Sequence, residues 1–262
     1  MFVAALTVLA ACASPNEQTD ATGRPTADMS TSAASSSATR LTGEDVELSR
    51  GTYAIDLTKL AGGGPAYPTV ELTVPDGWQS FGGWAVGRVG EDVPPVAIQF
   101  WDVAEVYGDP CAWRGTETDP GLGVKGLVAA LVAQPMREPS EPEPVTVDGA
   151  PGLYLEWSVP SDIAVDDSGF AECDDDGQGH LDFRSWTGSG WSTVRYHQGA
   201  GQIDRVWVLD VGGQRLVVDA FSMPSATNSD IQELLDVANS IRFERPSTGA
   251  TSHLLPLSDP PA

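Results

Sequence analysis

The densest group of potential metal ligands is an acidic run that begins at Asp174 and places four carboxylates within residues 174–182. Glycines between them permit a tight turn, and calcium prefers carboxylate oxygens in such loops. The run lacks the ligand spacing and the terminal Glu of an EF-hand. We interpret it as a solvated acidic loop and assign no metal ligand. Weak calcium binding, with Asp166 and Asp167 as further ligands, is the alternative.

Serine-hydrolase chemistry needs a nucleophile, a base and a residue that orients the base. The sequence has three histidines and no Gly-x-Ser-x-Gly motif. His197 falls at a predicted strand end, and Gly188-Ser189-Gly190 is typical of a turn between strands. We therefore assign no catalytic residue.

The sequence also offers residues for glycoside hydrolysis and for nucleotide binding, but neither set is specific. Glu156 and Asp210 lie on predicted strands, where a carboxylate pair could hydrolyse a glycosidic bond. With 37 Asp and Glu residues, some such pairs arise by chance. The Gly62-Gly63-Gly64-Pro65 segment has no following Lys or helix, so it is interpreted as a turn and no nucleotide cofactor is implied.

Eight tryptophans are many for a chain of this size. Large aromatic side chains usually fill a core between sheet and helix. The alternative is that some of them line a groove for a sugar or a lipid. The eight are Trp78, Trp84, Trp101, Trp113, Trp157, Trp186, Trp191 and Trp207.

An apolar run, residues 2–11, ends at Cys12 and suits the core of a signal peptide. Leu9-Ala10-Ala11-Cys12 resembles the lipobox of bacterial lipoproteins. That resemblance implies a signal peptide at residues 1–11, fatty acyl groups such as palmitate on Cys12, and a site on the extracytoplasmic face of the cell membrane. No Lys or Arg precedes the apolar run, which suits a true start upstream of Met1. The alternative is a buried N-terminal strand ending in a free thiol.

Three cysteines leave an odd one in an exported protein. If Cys12 carries lipid, Cys111 and Cys173 remain as a pair, and an oxidising compartment would let them form a structural disulfide. Two independent buried thiols are the first alternative, and a catalytic cysteine is the second.

The charge balance excludes some partners. With 14 Lys and Arg against 37 Asp and Glu, the formal net charge is −23. Nucleic-acid binding requires a basic face, so we expect no nucleic-acid partner. We expect a monomer with no cofactor, whose partners are the membrane, through lipid on Cys12, and an unknown envelope protein or small amphiphile.

Composition divides the chain into four segments. Residues 1–11 are the predicted signal peptide, and residues 12–47, rich in Ser, Thr and Ala, are a disordered tether. Residues 48–245 form one globular α+β domain, with two tightly packed halves as the alternative. Residues 246–262 are a Pro-rich disordered tail.

Two helices are predicted, over about 119–133 and 229–240. Asp119 and Pro120 suit the start of the first helix, and Val124, Leu127, Val128 and Leu131 form its apolar face. Ser229, with Gln232 three residues later, is typical of a capping box for the second. Its predicted apolar stripe is Ile231, Leu234, Leu235 and Ala238.

Strands are predicted from alternation of apolar and polar residues. The Gly212-Gly213 dipeptide predicts a tight hairpin between residues 204–211 and 214–220. Its register would place Leu209 opposite Leu216 and Trp207 opposite Val218, and would make Asp210 and Arg215 a cross-strand ion pair. A second hairpin is predicted around Asp148-Gly149. Further strands are predicted at 51–57, 69–74, 84–89, 96–103 and 240–243.

Three segments together resemble a group of actinobacterial lipoproteins of unassigned function. They are residues 206–218, Asn239-Ser240-Ile241-Arg242-Phe243 and Asp109-Pro110-Cys111-Ala112-Trp113. The order of elements is also similar to the PsbP-like fold, which implies an antiparallel sheet with two main helices packed on it. Neither resemblance supplies a catalytic residue.

The sequence thus predicts a lipid-anchored extracytoplasmic protein that acts as a non-enzymatic binding or envelope-accessory module. The alternatives are an extracytoplasmic hydrolase with a carboxylate-based site and a structural envelope lipoprotein without a ligand.

Overall fold

The structure is a computed structural model that describes residues 38–61, 67–90, 94–190 and 194–244. The described residues form mainly strands, with the helices α1 (Val124–Val132) and α2 (Asn228–Asn239) and a 3-10 helix at Leu57–Ala61. In chain order the strands are β1 (Thr39–Arg40), β2 (Val46–Leu48), β3 (Gly51–Ile55), β4 (Val70–Val74), β5 (Trp78–Phe81), β6 (Ala85–Arg88), β7 (Val96–Trp101), β8 (Val103–Tyr107), β9 (Glu117–Thr118), β10 (Glu143–Val147), β11 (Ala150–Ser158), β12 (Val165–Asp166), β13 (Gly169–Phe170), β14 (Arg184–Gly188), β15 (Val194–Tyr196), β16 (Ile203–Val211), β17 (Gln214–Ser222) and β18 (Arg242–Phe243).

The α+β class is confirmed: an antiparallel sheet forms the centre, and both helices pack on it. Eight strands follow the order β10-β11-β16-β17-β7-β6-β5-β2. Two four-stranded sheets flank it, with the orders β1-β3-β4-β18 and β15-β14-β8-β9, and β12 and β13 form a separate two-stranded sheet. Among the described residues no helix is long and apolar enough to cross a membrane.

The central hairpin has the predicted register. Leu209 pairs with Leu216, and Trp207 pairs with Val218. Gly212 and Gly213 both have positive φ, at 67° and 90°, which a primed two-residue turn requires and glycine supplies without strain.

The ion pair predicted across that hairpin is wrong, although Asp210 and Arg215 are backbone partners. Arg215 turns inward, and its guanidinium donates to the carbonyl oxygens of Gly121 and Val103. Asp210 instead accepts a hydrogen bond from the Gly213 amide at 2.7 Å. The inward turn leaves Arg215 only 9% exposed, because its strand is buried on both faces.

Alternate residues of the central strands enter two different cores. On one face Leu209 and Val218 pack with Leu234 of α2. On the other face Val208 and Val217 pack with residues of α1. We call these the α2 face and the α1 face. A sheet covered on both sides loses the simple alternation of apolar and polar residues.

The first helix begins later than predicted. Residues 119–123 are not helical, because Asp119 accepts from the Gly121 amide at 2.7 Å and Gly121 has a φ of +71°. The helix starts at Val124 after Gly123, which provides no side-chain cap. Its predicted apolar face is confirmed: Leu127, Val128 and Leu131 are buried, and Val124 is half-buried.

The second helix has a capping box, but Thr227 and Asp230 form it, not Ser229 and Gln232. The Thr227 hydroxyl accepts from the Asp230 amide at 3.2 Å, and the Asp230 carboxylate accepts from the Thr227 amide at 2.8 Å. The predicted capping box therefore lies two residues C-terminal to the observed one. Leu234 and Ala238 are buried as expected, together with Val237.

The folded region begins earlier than residue 48. Strand β1 pairs in parallel with β3, and β2 pairs with β5. Strand β1 and the first two residues of β2 fall in the predicted tether, residues 12–47, and the buried side chains of Leu41 and Leu48 hold this segment against the core. Cys12, the signal peptide (1–11), tether residues 12–37 and the tail (246–262) lie outside the described residues.

The predicted disulfide between Cys111 and Cys173 is confirmed, with the sulfur atoms 2.07 Å apart. It lies in a small third core with Phe170 and Phe183. The bridge ties the end of β8 to the acidic loop, and the Asp174 amide donates to the Cys111 carbonyl oxygen at 2.9 Å.

Candidate functional site

The α1 face contains a half-open cavity of about 220 Å³. We call it the aromatic cavity, because much of its wall is formed by aromatic rings. These rings belong to Phe81, Trp84, Trp101, Tyr196 and Phe221.

Strand periodicity explains how these side chains meet. Ala97, Gln99 and Trp101 alternate along β7, so they point to the same face. Phe221 is the cross-strand partner of Ala97, and Asp219 is the partner of Gln99. The small side chain of Ala97 leaves the space that the surrounding rings enclose.

Three polar atoms beside this cavity lack a hydrogen-bond partner among the described residues. They are Gln99 Oε1, Trp101 Nε1 and Asp219 Oδ1. An unpartnered buried polar group costs about 1–3 kcal/mol of stability. Gln99 and Trp101 both line the cavity, but these unpartnered atoms are themselves buried, so they offer no contact to a molecule in its open space.

Arg195 connects the cavity to a buried polar cluster. Its side chain lines the cavity, while Nε donates to Asp219 Oδ2 at 2.5 Å and Nη2 donates to Asp204 Oδ1 at 2.7 Å. The remaining Nη1 donates to the Tyr196 carbonyl oxygen. We define the polar cluster as Arg137, Ser185, Arg195, His197, Gln202, Asp204 and Asp219.

Asp204 is the centre of this cluster. Besides Arg195, it accepts from Gln202 Nε2 at 2.6 Å and from Arg137 Nη1 at 3.5 Å. His197 Nδ1 lies 3.3 Å from Asp204 Oδ2. When Asp219 is ionised, two guanidinium groups face two carboxylates, and the formal charges of Arg137, Arg195, Asp204 and Asp219 cancel.

Burial and neighbouring charges together set the pKa of each titratable group in the cluster. It lowers the pKa of His197 to about 3, with Arg137 adding to the effect. It raises the pKa of Asp219 to about 7 against the opposing pull of Arg195. Burial would also raise the pKa of Asp204, but His197, Arg195 and Arg137 together hold that pKa below its usual range.

The cluster contains the spacing of a Ser-His-Asp triad. Ser185 Oγ lies 2.7 Å from His197 Nε2, and Arg137 Nη2 lies 2.5 Å from the same nitrogen. Because a guanidinium can only donate, Nε2 accepts and the ring proton is assigned to Nδ1, which faces Asp204 and also lies 3.1 Å from Gln202 Nε2. This is the tautomer that a serine hydrolase requires.

Its surroundings do not suit catalysis. Ser185 is 0% exposed, and the Arg137 guanidinium contacts both Ser185 Oγ and the base. A substrate carbonyl would need that position. His197, with a pKa of about 3, is also far from the value near the working pH that suits a general base. We interpret the arrangement as structural.

The tryptophans fill the core, as predicted, and two of them also line the cavity. Trp101, Trp157 and Trp186 are buried in the α1-face core, and Trp84 meets the Trp101 ring at 5.2 Å in an edge-to-face contact. Trp84 and Trp101 also line the cavity. The Arg137 guanidinium lies 4.3 Å from the Trp157 ring centroid, which extends the polar cluster into the same core.

The other candidate residues remain apart. Glu156 pairs with Arg205 in register and lies 3.2 Å from its Nε. Asp210 is five positions further along β16, roughly 16 Å away, so the two cannot act on one glycosidic bond.

The acidic loop binds its own backbone. Asp176 Oδ1 accepts from the amides of Gln178 and His180, and its backbone partners hold the pKa of Asp176 below the usual value. In the described part of the chain no group of three or more His, Cys, Asp or Glu is placed to hold a metal ion.

Sequence reasoning missed Ser185, Asp204 and Asp219, although a signal for the two aspartates was present. In the predicted hairpin register they share a face with Val206 and Val208. Carboxylates interleaved with valines on one strand face indicate a buried face, where charges must be paired. No such sequence pattern indicated that Ser185 would be part of the polar cluster.

No protein-family model matches the chain, and no curated protein matches it in sequence. Among solved structures, it is similar to the solution structure of cyanobacterial PsbP (CyanoP) from Synechocystis sp. PCC 6803. The identity is 13%, and the match covers 76% of this chain and 95% of that chain, with a TM-score of 0.29. A TM-score of this size supports no argument about fold or function.

Proposed function

We propose that this protein is a non-enzymatic binding module that takes a small amphiphile into the aromatic cavity. The observation that supports this is a half-open cavity with largely apolar, aromatic walls and the polar side chains of Gln99, Arg195 and Gln198 in its lining. Ligand sites are typically apolar concavities with a few placed polar groups.

The neighbouring polar cluster supports binding over catalysis. It fixes Arg195 through both Asp204 and Asp219, so the cavity wall has a rigid side. The hydrolase proposed as an alternative would need an exposed carboxylate pair, and Asp204 and Asp219 are both 0% exposed.

We also propose that lipid on Cys12 anchors the domain to the extracytoplasmic face of the cell membrane. The Leu9-Ala10-Ala11-Cys12 sequence supports this, as does the disulfide, which persists in oxidising compartments. A PsbP-like fold is proposed on the order of elements alone, with strands before α1, strands between the helices, and a last strand after α2.

Binding can be tested with the full-length chain isolated from an actinobacterial host. Native mass spectrometry should show a small-molecule adduct on the wild type that is missing from Ala97→Leu, because the larger side chain fills the cavity. Ala129→Leu adds the same side chain at an exposed position of α1 and should retain the adduct. An adduct that persists unchanged in Ala97→Leu would contradict binding in this cavity.

Anchoring can be tested by intact-mass analysis of the membrane fraction, beside a Cys12→Ala control. We expect cleavage before Cys12, added acyl groups, and two hydrogens fewer than in the reduced chain. An unprocessed chain in the cytosol would refute the anchor.

A further inference from the structure

We propose that one proton shared between Asp219 and Gln99 makes ligand binding in the aromatic cavity depend on pH, because it sets which end of the Gln99 carboxamide the cavity presents. At acid pH the cavity presents an N–H donor and prefers a ligand with a carbonyl group. At alkaline pH it presents a carbonyl oxygen and loses that preference. The inference rests on the proposed binding function and adds the ligand preference and its regulation.

Gln99 and Asp219 are neighbours across the sheet. They are direct partners of the β7–β17 pair, and the Cβ atoms of such partners lie about 4.5–5.5 Å apart. Both side chains point to the α1 face, as those of Trp101 and Val217 do two positions away. The partner of Gln99 on its other side is Ala85, which has no polar side-chain atom. Asp219 is therefore the polar side chain that adjoins Gln99 across the strands.

One proton on Asp219 satisfies both side chains. Gln99 Oε1 and Asp219 Oδ1 are buried acceptors without a hydrogen-bond partner among the described residues, and two acceptors cannot bond each other. A protonated Asp219 Oδ1 donates to Gln99 Oε1, so neither atom is left unpaired. The other carboxylate oxygen, Oδ2, accepts from Arg195 Nε at 2.5 Å, which assigns the proton to Oδ1.

Asp219 is the group of the polar cluster that changes charge between pH 5 and pH 9. The charged groups packed around it are Arg195 of β15, Asp204 of β16 and Arg137, which follows α1. Burial and Asp204 raise the pKa of Asp219 to about 7, against the pull of the two guanidinium groups. His197 has a pKa of about 3 and stays neutral over this range, and Arg137 has a pKa of about 10 and stays charged.

Loss of the proton turns the Gln99 carboxamide. An ionised Asp219 Oδ1 requires a donor, and Gln99 provides one when its Nε2 and Oε1 exchange places. Nε2 then donates to Oδ1, and this bond is charge-assisted. Oε1 takes the position that Nε2 occupied.

That position faces the open space of the cavity. Gln99 is half-buried and lines the cavity, with Oε1 closed off from it. Nε2 bonds no residue in the described part of the chain, yet it is not among the buried atoms that lack a partner. It is therefore the accessible end of the carboxamide, and the turn replaces an accessible donor with an accessible acceptor.

A single aromatic ring with one carbonyl group matches the donor state. An apolar cavity of about 150 Å³ can hold a benzene molecule, so about 220 Å³ has room for one ring and a short substituent. The walls are largely apolar and aromatic, and the ligand carbonyl accepts from Gln99 Nε2. Because this donor is present only while Asp219 keeps its proton, the affinity falls as the pH rises through 7.

The shared proton is tested by NMR on the full-length chain labelled with [¹³C]aspartate and [¹⁵N]glutamine. We expect the Asp219 carboxyl signal and the Gln99 side-chain amide signals to change together, with a midpoint near pH 7. Asp219→Asn and Gln99→Leu assign the signals. An Asp219 signal that stays constant from pH 5 to pH 9, or Gln99 signals that do not follow it, would overturn the switch.

The ligand preference is tested with acetophenone and α-methylstyrene, which share one shape and differ in the carbonyl oxygen. In the wild type the ratio of acetophenone affinity to α-methylstyrene affinity should fall about fivefold to tenfold from pH 5 to pH 9, the value of one neutral hydrogen bond. Neither probe titrates in this range, so the change belongs to the protein. Asp210→Asn, at an exposed position of β16, should behave like the wild type.

Asp219→Asn separates the switch from other effects of pH. The oxygen of its carboxamide accepts from Arg195, so its Nδ2 donates to Gln99 Oε1 and keeps the Gln99 carboxamide in the donor orientation at every pH. The affinity ratio should therefore keep its pH 5 value up to pH 9. A ratio that still fell in this variant would assign the pH dependence to another group.

The outcomes also distinguish the switch from the binding function. If the Asp219 and Gln99 signals titrate together but neither probe binds, the binding function fails and the shared proton stands. If α-methylstyrene binds and the affinity ratio is the same at pH 5 and pH 9, the cavity is a binding site and the proton does not control its ligand.

Discussion

Each face of the central sheet is covered by a buried layer of side chains, and the two layers differ in polarity. The α2 face packs Leu209, Val218 and Leu234 into an apolar core. The α1 face mixes apolar packing with the polar cluster, the aromatic cavity and unpartnered atoms of Trp101 and Gln99. Buried ion pairs are weak contributors to stability, so the contrast indicates that the α2 face contributes more to stability, and it supports the proposal that the α1 face serves binding.

The largest expected effect comes from breaking the charge balance on the α1 face. Asp204→Asn leaves the Arg137 and Arg195 guanidinium groups with one carboxylate between them, so we expect the free energy of unfolding to fall by about 3–5 kcal/mol. Urea unfolding measures it. Asp210→Asn, on the same strand but exposed, should change stability by about 0.5 kcal/mol or less. Equal losses of stability in Asp204→Asn and Asp210→Asn would mean that the Asp204 carboxylate does not compensate the buried guanidinium charges.

Removing the disulfide should have the next largest effect. The double variant Cys111→Ser with Cys173→Ser opens a loop of 62 residues, and the chain-entropy model gives a loss of roughly 4 kcal/mol. The thermal midpoint should fall and should no longer respond to a reducing agent. A midpoint equal to that of the oxidised wild type would show that the third core holds this loop without the bond.

Truncation on the α2 face should be comparable in size but insensitive to pH. Leu234 is 0% exposed, so Leu234→Ala should lower the free energy of unfolding by about 3 kcal/mol. Because no charge is removed, the loss should be the same at pH 5 and pH 8. If the stability loss of Leu234→Ala varied strongly between pH 5 and pH 8, the α2 face would not be the purely apolar core described here.

The smallest expected effect, taken per pH unit, is a pH dependence at Asp219. Its pKa is about 7 in the folded protein against an ordinary value of 3.8, so the native state keeps a proton that the unfolded chain releases. The stability it contributes is complete below pH 4 and is lost as the pH rises to 7. Asn does not titrate, so Asp219→Asn should gain stability relative to the wild type over that range, on the order of 1 kcal/mol per pH unit. If the stability of Asp219→Asn relative to the wild type fell with rising pH, the pKa of Asp219 would be lowered by folding, not raised.

Local patterns predicted much of the fold. The Gly212-Gly213 turn and the register of Leu209 with Leu216 follow from turn chemistry and alternation. The apolar face of α1 follows from helical spacing, whereas its start does not, because the Asp119–Gly121 contact competes with the helix. Local rules place an element more reliably than they place its ends.

The candidate site was far less predictable. Its residues come mainly from β5, β6, β7, β15 and β17, and no local pattern states which strands meet. The Asp210–Arg215 pair failed for the same reason: the register was right, but the second core that buries Arg215 depends on distant residues. The number of tryptophans indicated many large aromatic side chains. It could not show which of them fill the core and which line a cavity.

Crystallography under xenon pressure tests the contrast between the faces most directly, because xenon enters apolar protein cavities. In the wild type we predict xenon in the aromatic cavity and none in the α2-face core. In Leu234→Ala, whose truncated side chain opens a space on the α2 face, we predict a second xenon there. Xenon in that engineered space but not in the aromatic cavity would contradict the account, because it would show that the α1 face has no room for a ligand.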